Sequence, residues 1–208
     1  IQEMESEWKN RKRKRRGEPE RPPLYTAEEA ARCLEIFEAV NYDEIIEIDE
    51  NIHVRFNDAG HMLGSSIIEL WVKEDGKEVK TVFTGDLGNN DIPLLDSPTM
   101  IEDADYLVME STYGSRLHVR NDEKAKIFLD VVSETLDKQG TVVIPSFAVG
   151  RTQEILYELN KIKENTDDED FERKYKTLMK APVYVDSPLA ISATEVFREN
   201  MDLFEEDV

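Results

Sequence analysis

The spacing of apolar and polar positions changes several times along the chain, and each change marks an element. Residues 3–16 are polar at nearly every helical position. They predict a helix with little apolar face, stopped by Gly17 and then by Pro19, Pro22 and Pro23. Thr26-Ala27-Glu28-Glu29 has the capping-box pattern and opens an amphipathic helix whose apolar stripe is Ala30, Cys33, Leu34, Ile36, Phe37 and Val40. The period then falls to two. Residues 43–48, 52–57, 66–73 and 79–84 are expected as strands, with Asp75-Gly76 as a hairpin signal between the last pair. Residues 106–109 form a short apolar run, expected as a buried strand.

From residue 121 onward helices and strands alternate. Helices are expected over 121–138, 151–163 and 190–201, buried strands over 141–144 and 183–185, and an acidic loop over 165–172. This order predicts parallel strands joined by helical crossovers, and with the strands before it an α/β fold class.

Composition narrows the functional classes. The chain has 208 residues, 39% hydrophobic and 35% charged, enough for one or two domains with a core. A single cysteine, Cys33, excludes an intrachain disulfide and fits a reducing, cytoplasmic setting; its place in the apolar stripe makes it a small core residue. No apolar run is long enough to span a membrane. A net charge of −20 argues against a simple basic nucleic-acid binder, because phosphate contacts need Lys and Arg. That charge is uneven: residues 9–16 are basic at every position except Asn10, whereas 167–170 and 205–207 are acidic. The basic run is read either as an RNA contact or as a solvated face paired with acidic surface. The first residue is Ile1 rather than Met, so the chain is expected to begin inside a larger protein.

Three strand ends carry groups able to do chemistry. In Asp58-Ala-Gly-His-Met-Leu-Gly-Ser65, His61 lies between two glycines after a strand, where rigid backbone can aim an imidazole at a metal; the alternative is a loop histidine bonded to backbone. In Phe83-Thr-Gly-Asp-Leu-Gly88, an apolar strand runs into Asp86, a carboxylate able to bridge two cations or simply to close an Asx turn. In Tyr106-Leu-Val-Met-Glu-Ser-Thr-Tyr-Gly114, Glu110 ends the next apolar run. Strand ends are where layered α/β proteins assemble their sites. Lower in rank, Ser146 and Arg151 flank a strand-to-helix turn containing Gly150, where amides and a guanidinium can hold phosphate, and Ser187 sits at the following strand end. A structural role for Arg151 is equally open. His118 and His53 are expected to face solvent.

His61 in GHMLGS, Asp86 in FTGDLG, Glu110 in MESTYG and the segment PSFAVGRTQE at 145–154 resemble the metallo-β-lactamase superfamily, and within it the β-CASP RNA-processing nucleases. The resemblance runs from about residue 25 to residue 204. It implies that residues 1–140 form the second part of a metallo-β-lactamase αββα sandwich and residues 141–208 the beginning of a β-CASP α/β domain. It implies two zinc ions, one held by His61 and both bridged by Asp86, with Glu110 orienting a histidine that protonates the leaving group. The implied reaction is hydrolysis of RNA phosphodiesters by a metal-bound hydroxide. The implied partners are RNA, the remaining segments of the parent protein and a second copy in a homodimer, with no membrane.

The departures are as informative. The superfamily's His-x-His-x-Asp-His run is absent: the histidines are His53, His61 and His118, and no pair has that spacing. The run and the family's later histidines are expected before Ile1 and after Val208. The chain by itself is therefore expected to be inactive and to bind zinc weakly, because two donors do not complete a site. Two rival readings stand beside this one: a hydrolase of small esters or thioesters on the same fold, and a metal-free RNA-binding scaffold.

Overall fold

The computed structural model describes residues 1–90, 94–116, 121–164 and 169–204, and it divides into two units, Ile1–Asn41 and Tyr42–Val208. The acidic stretch at 205–207 and His118 lie outside the described residues, as do 165–168.

The first unit opens with α1 (Gln2–Arg15), which buries no residue. Its charges follow the helix dipole, with Glu3 and Glu5 in the first turn and Lys12 to Arg15 in the last. The capping box forms as expected: the Thr26 hydroxyl accepts from the Glu29 amide at 3.1 Å, and the Glu29 carboxylate accepts from the Thr26 amide at 2.8 Å. The helix it opens, α2 (Ala27–Cys33), is shorter than expected and continues only as a 3-10 turn over Leu34–Ile36. Cys33 is exposed, and so are Leu34, Ile36, Phe37 and Val40, contrary to the core stripe read from their spacing. An apolar stripe prolongs a helix when a surface covers it, and a helix of two turns has little stability of its own.

The second unit contains one five-stranded sheet in the order β1 (Ile45–Asp49), β2 (Ile52–Asp58), β3 (Ser66–Glu74), β4 (Lys77–Phe83), β5 (Tyr106–Val108). The first four are an antiparallel meander, and β5 pairs parallel to β4. The β3–β4 turn is Asp75-Gly76, with φ of +51° and +76°, the mirror-image geometry that suits strand twist. One face of the sheet packs Ile67 and Val82 on Ala59, with Leu87 and Ile101 against them.

The same face buries a charge network. Glu69 on β3 is fully buried, and its carboxylate accepts from Arg55 Nε at 2.5 Å and Asn57 Nδ2 at 2.9 Å and pairs with Lys80 Nζ at 2.6 Å. Lys80 also reaches Asp103 at 2.9 Å. Burial alone would raise the Glu69 carboxyl, but the hydrogen bonds from Arg55, Lys80 and Asn57 outweigh it and bring it to about 2. His53 is half-buried rather than solvent-facing.

The apolar run of β5 predicts a buried strand, but as an edge strand it exposes Tyr106, Leu107 and Val108 by more than half. Past it come α3 (Asn121–Asp137), α4 (Arg151–Glu164), α5 (Glu169–Lys174), α6 (Lys176–Lys180) and α7 (Pro188–Glu199). A core of Leu129, Val132, Leu159, Ile162, Tyr175 and Leu178 joins α3, α4 and α6. Two expectations fail here. The acidic segment 165–172 contains the start of α5, and neither 141–144 nor 183–185 is a strand. Val143 and Tyr184 are more than four-fifths exposed. An apolar run becomes a strand only where a neighbouring backbone completes its ladder, and among the described residues neither run enters the sheet. Among the described residues the helical crossovers expected between them therefore do not form, and the fold is mixed α/β with β4–β5 as a parallel pair.

Candidate metal and catalytic site

Two glycine loops build the site by interlocking. At the end of β2 the Asp58 carboxylate accepts from the Gly60 amide at 2.7 Å, closing an Asx turn, with Gly60 at φ +57°. The Ser65 hydroxyl then accepts from the amides of His61 and Met62 at 3.1 and 3.2 Å, which fixes the backbone that carries the imidazole. At the end of β4 the chain turns through Gly85 and Asp86, and the Gly88 amide donates to the Ala59 carbonyl at 2.8 Å. A Cβ on Gly88 would lie 1.6 Å from the Gly60 carbonyl oxygen, so only glycine permits this approach. The result places His61 Nε2 3.9 Å from Asp86 Oδ2, with both side chains open to solvent.

Glu110 reaches the same place from β5. Its amide donates to the Thr84 hydroxyl at 3.2 Å, and its carboxylate accepts from the Leu87 amide at 2.7 Å. The Leu87 amide is the main reason the Glu110 carboxyl sits below the ordinary range, helped by the Thr112 hydroxyl and by the nearby His61. Glu110 is thus ionised at neutral pH and bound to the loop that bears Asp86. On the other side, burial raises the Asp58 carboxyl, the Gly60 amide lowers it in part, and Asp96 and Asp43 raise it further. Thr84, Ser65 and Asp58 are positioning residues that the chemistry of the motifs does not by itself single out. Their signal is their place, each one or two residues from a glycine at a strand end.

The donor set suits zinc in kind. Two ligands at about 2.1 Å on a tetrahedron stand about 3.4 Å apart, near the 3.9 Å between His61 Nε2 and Asp86 Oδ2. It does not suit zinc in number: among the described residues no group of three or more His, Cys, Asp or Glu side chains converges.

Ser146, Arg151 and Ser187 belong to another cluster. The Ser146 and Thr152 hydroxyls are 2.8 Å apart, Thr152 donates to the Phe147 carbonyl at 2.7 Å, and Arg151 pairs with Glu154. Ser187 caps α7, its hydroxyl accepting from the Ala190 amide at 3.2 Å. Gln153, which no motif marks, ties these pieces together. It is buried, and its amide donates to the Thr194 hydroxyl at 2.9 Å, the Ala148 carbonyl at 3.2 Å and the Ala190 carbonyl at 3.4 Å. It joins the 145–150 loop to the first two turns of α7. No hydrogen bond or ion pair among the described residues links this cluster to His61, Asp86 or Glu110.

Residues 152–208 match the family model of the Beta-Casp domain. The chain is 39% identical over 176 residues to an RNase J-like protein of Methanocaldococcus jannaschii, covering 83% of this chain and 38% of that protein. It is 32% identical over 186 residues to Ribonuclease TTHA0252 of Thermus thermophilus, covering 89% of this chain and 39% of the relative. It is 30% identical over 186 residues to cleavage and polyadenylation specificity factor subunit 3 of Dictyostelium discoideum, covering 89% and 22%. The chain thus spans about two fifths of the length of the first two relatives.

Proposed function

The chain belongs to the metallo-β-lactamase β-CASP family of RNA-processing nucleases, and from that premise we propose that the whole protein is a zinc-dependent ribonuclease whose site includes His61, Asp86 and Glu110. The observation that carries the reading is an imidazole and a carboxylate 3.9 Å apart on two separate strand ends, with a second carboxylate, Glu110 from a third strand end, bonded to the Leu87 amide next to Asp86. RNA as substrate rests on the relatives named as ribonucleases.

His61 and Asp86 would hold zinc, which when bound supplies Lewis-acid stabilisation of phosphate charge and lowers the proton affinity of water. The other donors would come from further segments of the whole protein, so the chain by itself would hold zinc weakly and be inactive. Glu110, held by the Leu87 amide, would orient a proton-donating group toward the leaving oxygen. Ser146, Arg151 and Ser187 would meet the RNA backbone through hydroxyls, a guanidinium and the amides of two helix starts. In domain terms, residues 1–140 would continue a metallo-β-lactamase sandwich and residues 141–208 would begin the β-CASP domain.

Asp86→Asn in the whole protein tests the reading. The substitution keeps size and removes charge at a solvent-open side chain, so folding and RNA binding should persist. Single-turnover RNA cleavage should fall by roughly 10²–10³-fold or more, the scale of losing a principal electrostatic stabiliser. Cleavage within a few-fold of wild type would reduce Asp86 to a turn residue and remove the metal assignment.

A further inference from the structure

The helix α1 has two faces that differ in chemistry. Its half-buried residues are Gln2, Ser6, Asn10 and Arg13, spaced four, four and three apart, which is one side of a helix. That side holds the returning chain: the Asn10 side chain donates to the Arg21 carbonyl at 2.8 Å and accepts from the Arg21 amide at 3.0 Å, and Ser6 donates to the same carbonyl at 2.9 Å. Asn10 interrupts the basic run because it is the anchor. Arg13 shares this inward side, and the other cations of the run lie round the rest of the helix.

The outward face combines cations with one aromatic ring. At about 100° per residue, Trp8, Lys12 and Arg15 fall within about 60° of one another, with Arg11 and Arg16 beside them. Trp8 is 55% exposed, and Lys12 Nζ sits 3.6 Å from its ring centroid on one side. Lys9 pairs with Glu5, and Arg13 and Arg16 lean on Glu18, but Arg11, Lys14 and Arg15 enter none of the ion pairs among the described residues. Seven cations thus stand within eight residues of a chain whose net charge is −20.

We propose that the outward face of α1 is a docking surface for single-stranded RNA, with Arg11 and Arg15 on phosphates and a base stacked on Trp8. The proposal rests on the ribonuclease reading above and adds a surface that reading does not use. Charge complementarity demands a polyanion. The exposed ring favours one with unstacked bases, because base–aromatic stacking beside cations is how single strands are held without sequence preference. A lipid surface fits less well, since Glu3, Glu5 and Glu7 share the helix with only Ile1, Met4 and Trp8 as large apolar groups.

The test uses the whole protein, a short single-stranded oligoadenylate, a matched duplex and anionic vesicles. Affinity is measured by anisotropy over a salt series. Replacing Arg11 and Arg15 together with Gln should reduce the magnitude of the slope of log K against log salt by about 1.4, near 0.7 for each single-strand phosphate that is no longer neutralised. Arg11→Lys with Arg15→Lys should keep the wild-type slope. Trp8→Ala should weaken single-strand binding about fivefold or more and leave duplex binding unchanged. Because α1 buries no residue, circular dichroism should match wild type throughout. A double Gln variant with the wild-type slope overturns the proposal, as does a loss seen only with vesicles, or a Trp8→Ala effect equal on single strand and duplex. If the wild type itself binds no RNA, the ribonuclease reading falls with it; if the wild type binds and the variants match it, this surface alone falls.

Discussion

The Glu69 network permits a stability prediction with a worked magnitude. The carboxyl is fully buried and is held near 2, against an ordinary value of 4.5 that the unfolded chain should show. The gap of about 2.5 units, at about 1.4 kcal/mol each, corresponds to about 3 kcal/mol. Because the folded value is depressed, this stability is fully present above about pH 4.5 and is lost as pH falls toward 2. Glu69→Gln keeps the shape, removes the charge and leaves Arg55 and Lys80 beside a neutral amide. Breaking a buried pair in this way costs on the order of 3–5 kcal/mol, so the two routes agree in scale. Urea unfolding at about pH 6 should show the variant about 3 kcal/mol less stable than wild type. At about pH 2.5 the wild type has lost most of this contribution, and the difference should shrink to under about 1 kcal/mol. Other carboxylates titrate alike in both proteins and cancel. A neutral-pH difference under about 1 kcal/mol, or one that does not change with pH, would refute an ionised Glu69 as the tie between β2, β3 and β4. The matter bears on the site because β4 runs directly into the loop that carries Asp86.

Two further predictions concern the loops. Gly88→Ala places a methyl group 1.6 Å from the Gly60 carbonyl, so the two glycine loops must part; thermal unfolding should show about 1–3 kcal/mol of destabilisation, and an unchanged Tm would mean the loops do not interlock. Gln153→Leu removes the donor shared by Ala148, Ala190 and Thr194 and should cost about 1–3 kcal/mol in urea unfolding. Gln153→Glu should cost more at neutral pH, because a carboxylate would face the Ala148 and Ala190 carbonyls; a Glu variant as stable as the Leu variant would show that the amide is not donating there.

What the sequence determined by itself was local. The capping box at Thr26 and Glu29 and the Asp75-Gly76 turn depend on residues within three positions of one another, and both form as their chemistry dictates. The helices at 121–137, 151–164 and 188–199 follow from a sustained apolar period, which survives whatever covers it. The motifs also mark His61, Asp86 and Glu110 as strand-end groups. Their separation was decided elsewhere: the 3.9 Å between His61 and Asp86 depends on Gly88 meeting Ala59 across 29 residues of chain. Glu69 reads as an ordinary polar position in an alternating strand, and only register places Arg55 and Lys80 beside it. The same reason explains the failures. The stripe from Ala30 to Val40 and the runs at 141–144 and 183–185 state an appetite for burial or pairing, and whether a partner surface or a ladder neighbour meets it is a property of the tertiary structure, because each needs atoms from a segment distant in the chain.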